Sequence, residues 1–164
     1  MKHTYEKKVN PRGMTGRCVC ALALALVMLL LASCSTPTNP TISVGSVEAK
    51  AGETVEVTVS IQDNPGIMAF IFGFEYDTER LLLVNATVLS EFGEDSEYDR
   101  RLVWVGSRDT TYNGAFVALT FQVLADAAPG DATVSVVFED GDVCNYDEED
   151  VALSVISGKV TVTA

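Results

Sequence analysis

The chain has almost no histidine. His3 is the only one in 164 residues, and it lies in an N-terminal segment set apart below. Without it, Ser-His-Asp and Cys-His catalysis and every histidine-ligated metal site are excluded from the remainder. Cysteine is nearly as scarce. Cys18, Cys20 and Cys34 belong to the N-terminal segment, which leaves Cys144 alone and excludes an internal disulfide. Its acidic neighbours disfavour a thiolate, so Cys144 is expected to be a small buried hydrophobe. Positive charge is the third deficit: 11 Lys and Arg stand against 23 Asp and Glu, a net charge of −12. So acidic a surface repels nucleic acid and anionic lipid headgroups. Helical periodicity is missing as well. No segment keeps apolar residues at helical spacing beyond two turns, and no internal repeat is present. The one long apolar run, Cys18 to Ala32, has 15 residues and no charge, short of the roughly 20 that a membrane span needs.

What is present begins with Lys2, Lys7, Lys8, Arg12 and Arg17, a basic leader ahead of that apolar run. The run closes in Leu31-Ala32-Ser33-Cys34, which resembles the lipobox of bacterial lipoproteins. The resemblance implies that residues 1–33 are a lipoprotein signal peptide. It also implies that the Cys34 thiol takes a diacylglyceryl group, so the chain is tethered outside the cytoplasm and touches the membrane only through its lipid. A start at Met14 gives a leader of more usual length; N-terminal peptide mapping of the precursor distinguishes the two starts. Ser35 after Cys34 does not resemble the aspartate signal that retains lipoproteins in the inner membrane. Residues 34–40 are then a lipidated cysteine and a polar, proline-bearing linker. The mature chain has 131 residues, with six basic residues against 22 acidic ones and a net charge of −16. That length suits one domain with a real core, over residues 41–164.

Within it the pattern is strand upon strand. Val55, Val57, Val59 and Ile61 alternate with Thr54, Glu56, Thr58 and Ser60, a half-buried strand between two turn signals. Ala115, Val117, Leu119, Phe121 and Val123 share one face of a long strand, and Val134, Val136 and Phe138 share a face of the next. Asp77 to Arg80 suits one short helical turn before Leu81. About nine strands predict an all-β sandwich. Gly66 to Asp77, GIMAFIFGFEYD, is the most informative of them. Alternation puts Phe70, Phe72, Phe74 and Tyr76 on one face, a core signature, and Ile67, Ala69, Ile71 and Gly73 on the other. An antiparallel strand with one wet side carries polar residues there. This strand is therefore buried on both sides, or its outer side meets a partner.

The order of these strands resembles the bacterial cohesin domain. The resemblance rests on Gly66-Ile67, Phe72 to Asp77 with Leu81 to Val84, Gly114 to Leu119 with Val123, Ala128-Pro129-Gly130, and Gly158 to Val162. It spans roughly residues 41–163. It implies a nine-stranded jelly-roll sandwich, related to certain carbohydrate-binding modules, that captures a dockerin module of secreted polysaccharide-degrading enzymes. It further implies that the strands of Ile67 to Gly73 and Arg101 to Ser107 lie side by side in the binding sheet. The expected partner face is then Ile67, Ala69, Ile71, Gly73, Val103, Val105 and Ser107. An alternative is that a loop or the Tyr112 region covers it. Ala69 and Ile71 replace polar residues of the relatives, and the stretch from Ser107 to Gly114 is shorter than theirs.

Other candidates weigh less. Glu139-Asp140-Gly141-Asp142 and Asp147 to Asp150 invite a Ca²⁺ ion, but the spacing is not that of an EF-hand and a solvated acidic loop is the expectation. Trp104 is expected in the core with Leu102, not as a sugar platform. Glu75 and Asp77 sit on one strand rather than across a cleft, which argues against glycoside hydrolysis. The reading is a lipid-anchored binding module without catalysis or cofactor. The alternatives are a carbohydrate-binding module that holds polysaccharide and a structural lipoprotein domain.

Overall fold

The computed structural model describes residues 39–89, 92 and 96–164. The expected signal peptide, Cys34 and most of the linker lie outside them. Every regular element described is a strand. In chain order they are β1 (Thr41–Val44), β2 (Ser46–Lys50), β3 (Thr54–Gln62), β4 (Ile67–Tyr76), β5 (Leu81–Val88) and β6 (Ser96–Asp99). There follow β7 (Arg101–Thr110), β8 (Gly114–Val123), β9 (Gly130–Val137), β10 (Val143–Cys144), β11 (Ser154–Ile156) and β12 (Gly158–Thr163). They form two sheets, one in the order β11-β1-β3-β8-β5 and the other in the order β2-β12-β9-β4-β7-β6, with β10 also paired to β4. This is the expected all-β sandwich. The expected helical turn before Leu81 is a hydrogen-bonded turn, with Leu81 N–H donating to the Asp77 carbonyl at 2.9 Å.

Twelve strands rather than nine arise partly because both ends of the domain change sheets. β1 pairs with β3 in one sheet and β2 with β12 in the other, and the switch falls at Gly45. β11 pairs with β1, whereas β12 pairs with β2 and β9, and that switch falls just before Gly158. The two crossings stack. A Cβ at Gly158 would lie 2.0 Å from the Gly45 carbonyl oxygen and 2.5 Å from that of Val44, so only glycine fits.

The core lies between the sheets. Phe70, Phe72, Phe116 and Phe121 are fully buried. Phe70 stacks on Phe72 with ring centroids 4.3 Å apart and on Trp104 at 5.4 Å. Phe116 meets Phe70 edge-on at 5.8 Å. Such contacts contribute about 0.5–1.5 kcal/mol each beyond burial. Among the described residues Asn64 is the buried polar one. Its amide group donates to the carbonyls of Thr110 and Tyr112, both at 3.0 Å, and its Oδ1 accepts from Gly66 N–H. One side chain thus ties the β3–β4 turn to the β7–β8 turn.

Three irregularities break the alternation, one of them in β5 between Leu83 and Asn85, after which Ala86 and Val88 rather than Asn85 and Thr87 turn inward. Ala69 pairs with Val105 but Ile67 with Thr110, so Gly106 to Asp109 loop out of the ladder. The phase of β4 slips there, and Ile67 turns inward to 1% exposure. In β8 the register shifts opposite Val59 and Ser60, which adds Phe116 to the inward set beside Val117.

Candidate functional site

The outer face of the second sheet is built around β4. On one flank β7 runs antiparallel to it, with Ala69 opposite Val105 and Ile71 opposite Val103. On the other flank β9 pairs with Gly73 to Tyr76, and β10 with the residues before them. Directly opposed residues of an antiparallel pair share a face. Val143 opposes Phe70 and is buried, so Cys144, opposite Ala69, lies on the outer face. A further bridge joins Cys144 to Asp150. The outer face therefore carries a row running Val105, Ala69, Cys144, Asp150, and beside it the pair Val103 and Ile71.

This places the expected partner residues. Ala69, Ile71 and Gly73 are half-buried on the outer face. Val103 and Val105 are 38% and 57% exposed. Ser107 is exposed but belongs to the looped-out segment, off the ladder with β4. Ile67 is corrected from outer face to core, for the reason of register given above. Tyr112 turns toward the interior, edge-on to Phe92 at 6.2 Å, and does not cover the valines. Cys144 is corrected from buried to half-buried. Alternation in the sequence signals did not reach it, because a two-residue strand has no period to read.

Charge frames the apolar field. Arg101 on β7 pairs with the Asp142 carboxylate, and the Asp142 carbonyl accepts the Ile71 N–H at 2.8 Å on the opposite flank of β4. The Arg101 side chain must therefore cross β4, next to Gly73, which has no side chain to obstruct it. Beyond β10 the chain forms a hairpin. Asn145 Oδ1 accepts from Asp147 N–H at 3.0 Å and Glu149 N–H at 2.9 Å, and Val151 N–H donates to the Val143 carbonyl at 3.0 Å. Tyr146 N–H donates to Asp109 at 2.7 Å, which fastens the hairpin to the looped-out part of β7. Asp147 to Asp150 are all exposed. Among the described residues no three Asp, Glu, Cys or His side chains are placed to hold a metal ion. The acidic loop supplies no converged Ca²⁺ site there: Asp142 is already engaged by Arg101 and by Glu139 N–H at 2.9 Å.

The remaining candidates are placed as follows. Trp104 is 3% exposed, stacked in the core as expected. Asp77 bonds Arg80 at 2.6 Å beside the turn, and Glu75 lies exposed on the outer face. Both line one open hollow on the side of the sheet where β4 meets β9, with Asp131, Thr133 and Ser135, and within it Asp77 is already held by Arg80.

The family model of the cohesin domain matches residues 40–162. No curated protein matches the sequence. Among solved structures, a type I cohesin–dockerin complex from Clostridium thermocellum superposes with a TM-score of 0.66 at 18% identity, covering 77% of this chain and 100% of that one. A non-cellulosomal cohesin from the archaeon Archaeoglobus fulgidus gives 0.65 at 16%, covering 77% and 93%. The sixth cohesin of scaffoldin B from Acetivibrio cellulolyticus, solved with a dockerin, gives 0.63 at 24%, covering 77% and 100%. At such identities the structural likeness speaks for the fold. The family match spans most of the chain, and with it the chain belongs to the cohesin family.

Proposed function

We propose that this protein is a non-catalytic docking module that captures a dockerin-type module of a secreted protein, such as a polysaccharide-degrading enzyme. The observation that carries the reading is the apolar field on the outer sheet face, where exposed Val103 and Val105 lie opposite half-buried Ile71 and Ala69 with charged residues at the margins. An exposed apolar patch of this kind marks an interaction surface. The field is apolar, so the partner it selects has aliphatic contact residues. The domain, residues 41–164, is held outside the cytoplasm by a lipid on Cys34 after removal of residues 1–33, with residues 34–40 as spacer. The supports for this anchor are the basic leader, the short apolar core and Leu31-Ala32-Ser33-Cys34, in that order. A sugar-binding role is disfavoured because Trp104 is buried and, among the described residues, no row of exposed aromatics lines a groove.

The test is a pull-down from the organism's secreted proteins with the acyl-free domain, repeated with Ile71→Asp. Recovery of dockerin-bearing enzymes by the first and not by the second, at equal melting temperature, is the expected result. Retention on insoluble polysaccharide without such recovery overturns it. So does unfolding of Ile71→Asp, which would make Ile71 a core residue.

A further inference from the structure

From Glu139 to Asp150 the chain carries seven carboxylates and no Lys, Arg or His. Three of them, Glu139, Asp140 and Asp150, line one hollow at the β9–β10 turn, with the Asp150 carboxylate over Gly141. Their mutual repulsion drives this segment off the sheet. Its hold on β4 is short. β10 has two residues, and the bond from Ile71 N–H to the Asp142 carbonyl extends the pairing. Val143 is its buried anchor. The far end is fastened by Tyr146 N–H on Asp109, a bond that adds no cation. Among the described residues one cation is bonded to the segment, Arg101 on Asp142. It reaches across Gly73, through a hollow that Glu75 and Glu139 also line.

We propose that Arg101 is a positioning residue of the outer face: its ion pair with Asp142 holds residues 139–150 closed against β4, and without it they open while the sandwich stays folded. The sandwich survives because β4 keeps its ladder with β7 and its pairing with β9 from Gly73 to Tyr76. Opening is thus local, at a free energy below that of unfolding. Salt separates the two opposed forces. The Arg101–Asp142 contact is well inside the screening length of about 10 Å at 0.1 M salt, and the Asp142 side chain is largely shielded from water. Repulsion between the carboxylates acts over longer distances and is screened at about 1 M, where that length falls to about 3 Å. Salt therefore acts chiefly on the force that opens the segment.

The Cys144 thiol, half-buried opposite Ala69, reports the opening. In the full-length chain at low salt, a neutral maleimide is expected to label Cys144 about fivefold faster in Arg101→Met than in the native protein, at unchanged melting temperature. Peptide mapping separates Cys144 from the other cysteines. Amide exchange at Ile71, whose N–H the Asp142 carbonyl accepts, is expected to quicken in step. Salt at about 1 M is expected to return the variant to within about twofold of the native rates, and Arg101→Lys to match the native protein at low salt. Unchanged labelling and exchange in Arg101→Met overturn the latch. Acceleration that salt leaves unaltered overturns it too, since lost packing of the arginine stem is indifferent to screening. Equal acceleration at the Val117 amide of β8 would mean global unfolding and has the same consequence. No partner is present in these measurements, so the docking reading stands or falls separately.

Discussion

At the scale of single residues, the positions that matter most for stability are ones the sequence does not advertise. Gly158 occupies a crossing where an added Cβ meets backbone oxygens that have no freedom to withdraw. Gly158→Ala is expected to cost about 3 kcal/mol, since overpacking against backbone cannot be relieved by a rotamer change. Urea titration measures it, and a loss under 1 kcal/mol would mean that the crossing is looser than drawn. Asn64 is a second case. Its three side-chain bonds are made in a buried setting to backbone groups of two separate turns. Asn64→Leu leaves the Thr110 and Tyr112 carbonyls without this donor and is expected to cost about 2–3 kcal/mol. In the sequence Asn64 reads as an ordinary turn residue before Pro65, because its partners are 46 and 48 positions away.

At the scale of elements, period-2 alternation made most of the sandwich legible, and it failed where strands carry an extra residue. β3 follows it throughout: Val57, Val59 and Ile61 are buried as alternation requires. In β4 it holds from Ala69 onward and fails at Ile67, since the excursion of β7 between Val105 and Thr110 depends on pairing that a single strand's sequence does not encode. In β8 the bulge brings Phe116 inward beside Val117, against its parity. Phe116 contacts Phe70, Phe72 and Phe92 from that position. Phe116→Ala is accordingly expected to destabilise by about 3–5 kcal/mol, as for a core phenylalanine rather than a surface one. A loss near zero in thermal melting would place Phe116 outside and remove the bulge. The apolar field of the outer face was legible in part. Ala69, Ile71, Val103 and Val105 follow from alternation within each strand together with the family resemblance that sets the two strands side by side, whereas Cys144 and Asp150 join it only through pairing across β10.

At the scale of the whole molecule, the charge balance sets how stability responds to acid. Asp77 is held below the ordinary carboxyl value by its hydrogen bond to Arg80, and Asp131 by those to Lys159 and Thr161. For a carboxyl depressed in the folded state, the unfolded chain takes up the proton more readily. Its contribution is therefore fully present above the ordinary value of 3.8 and disappears as pH falls through the folded one. The Lys159–Asp131 pair is solvent-exposed and the Arg80–Asp77 pair half-buried at the surface, so each effect is small. Tyr98 behaves in the opposite sense: burial raises its phenol, and its contribution is present below the ordinary value of 10.0 and lost as pH rises through the folded one. Self-repulsion among the acidic groups acts against the two aspartates, because it relaxes as the carboxylates protonate. The expected melting profile is flat near pH 6–8 and falls below about pH 4. Asp77→Asn and Asp131→Asn together should lower the plateau slightly and make the acid limb shallower. An acid limb of unchanged slope in the double variant would assign acid sensitivity to other carboxylates and remove these two turns from the account.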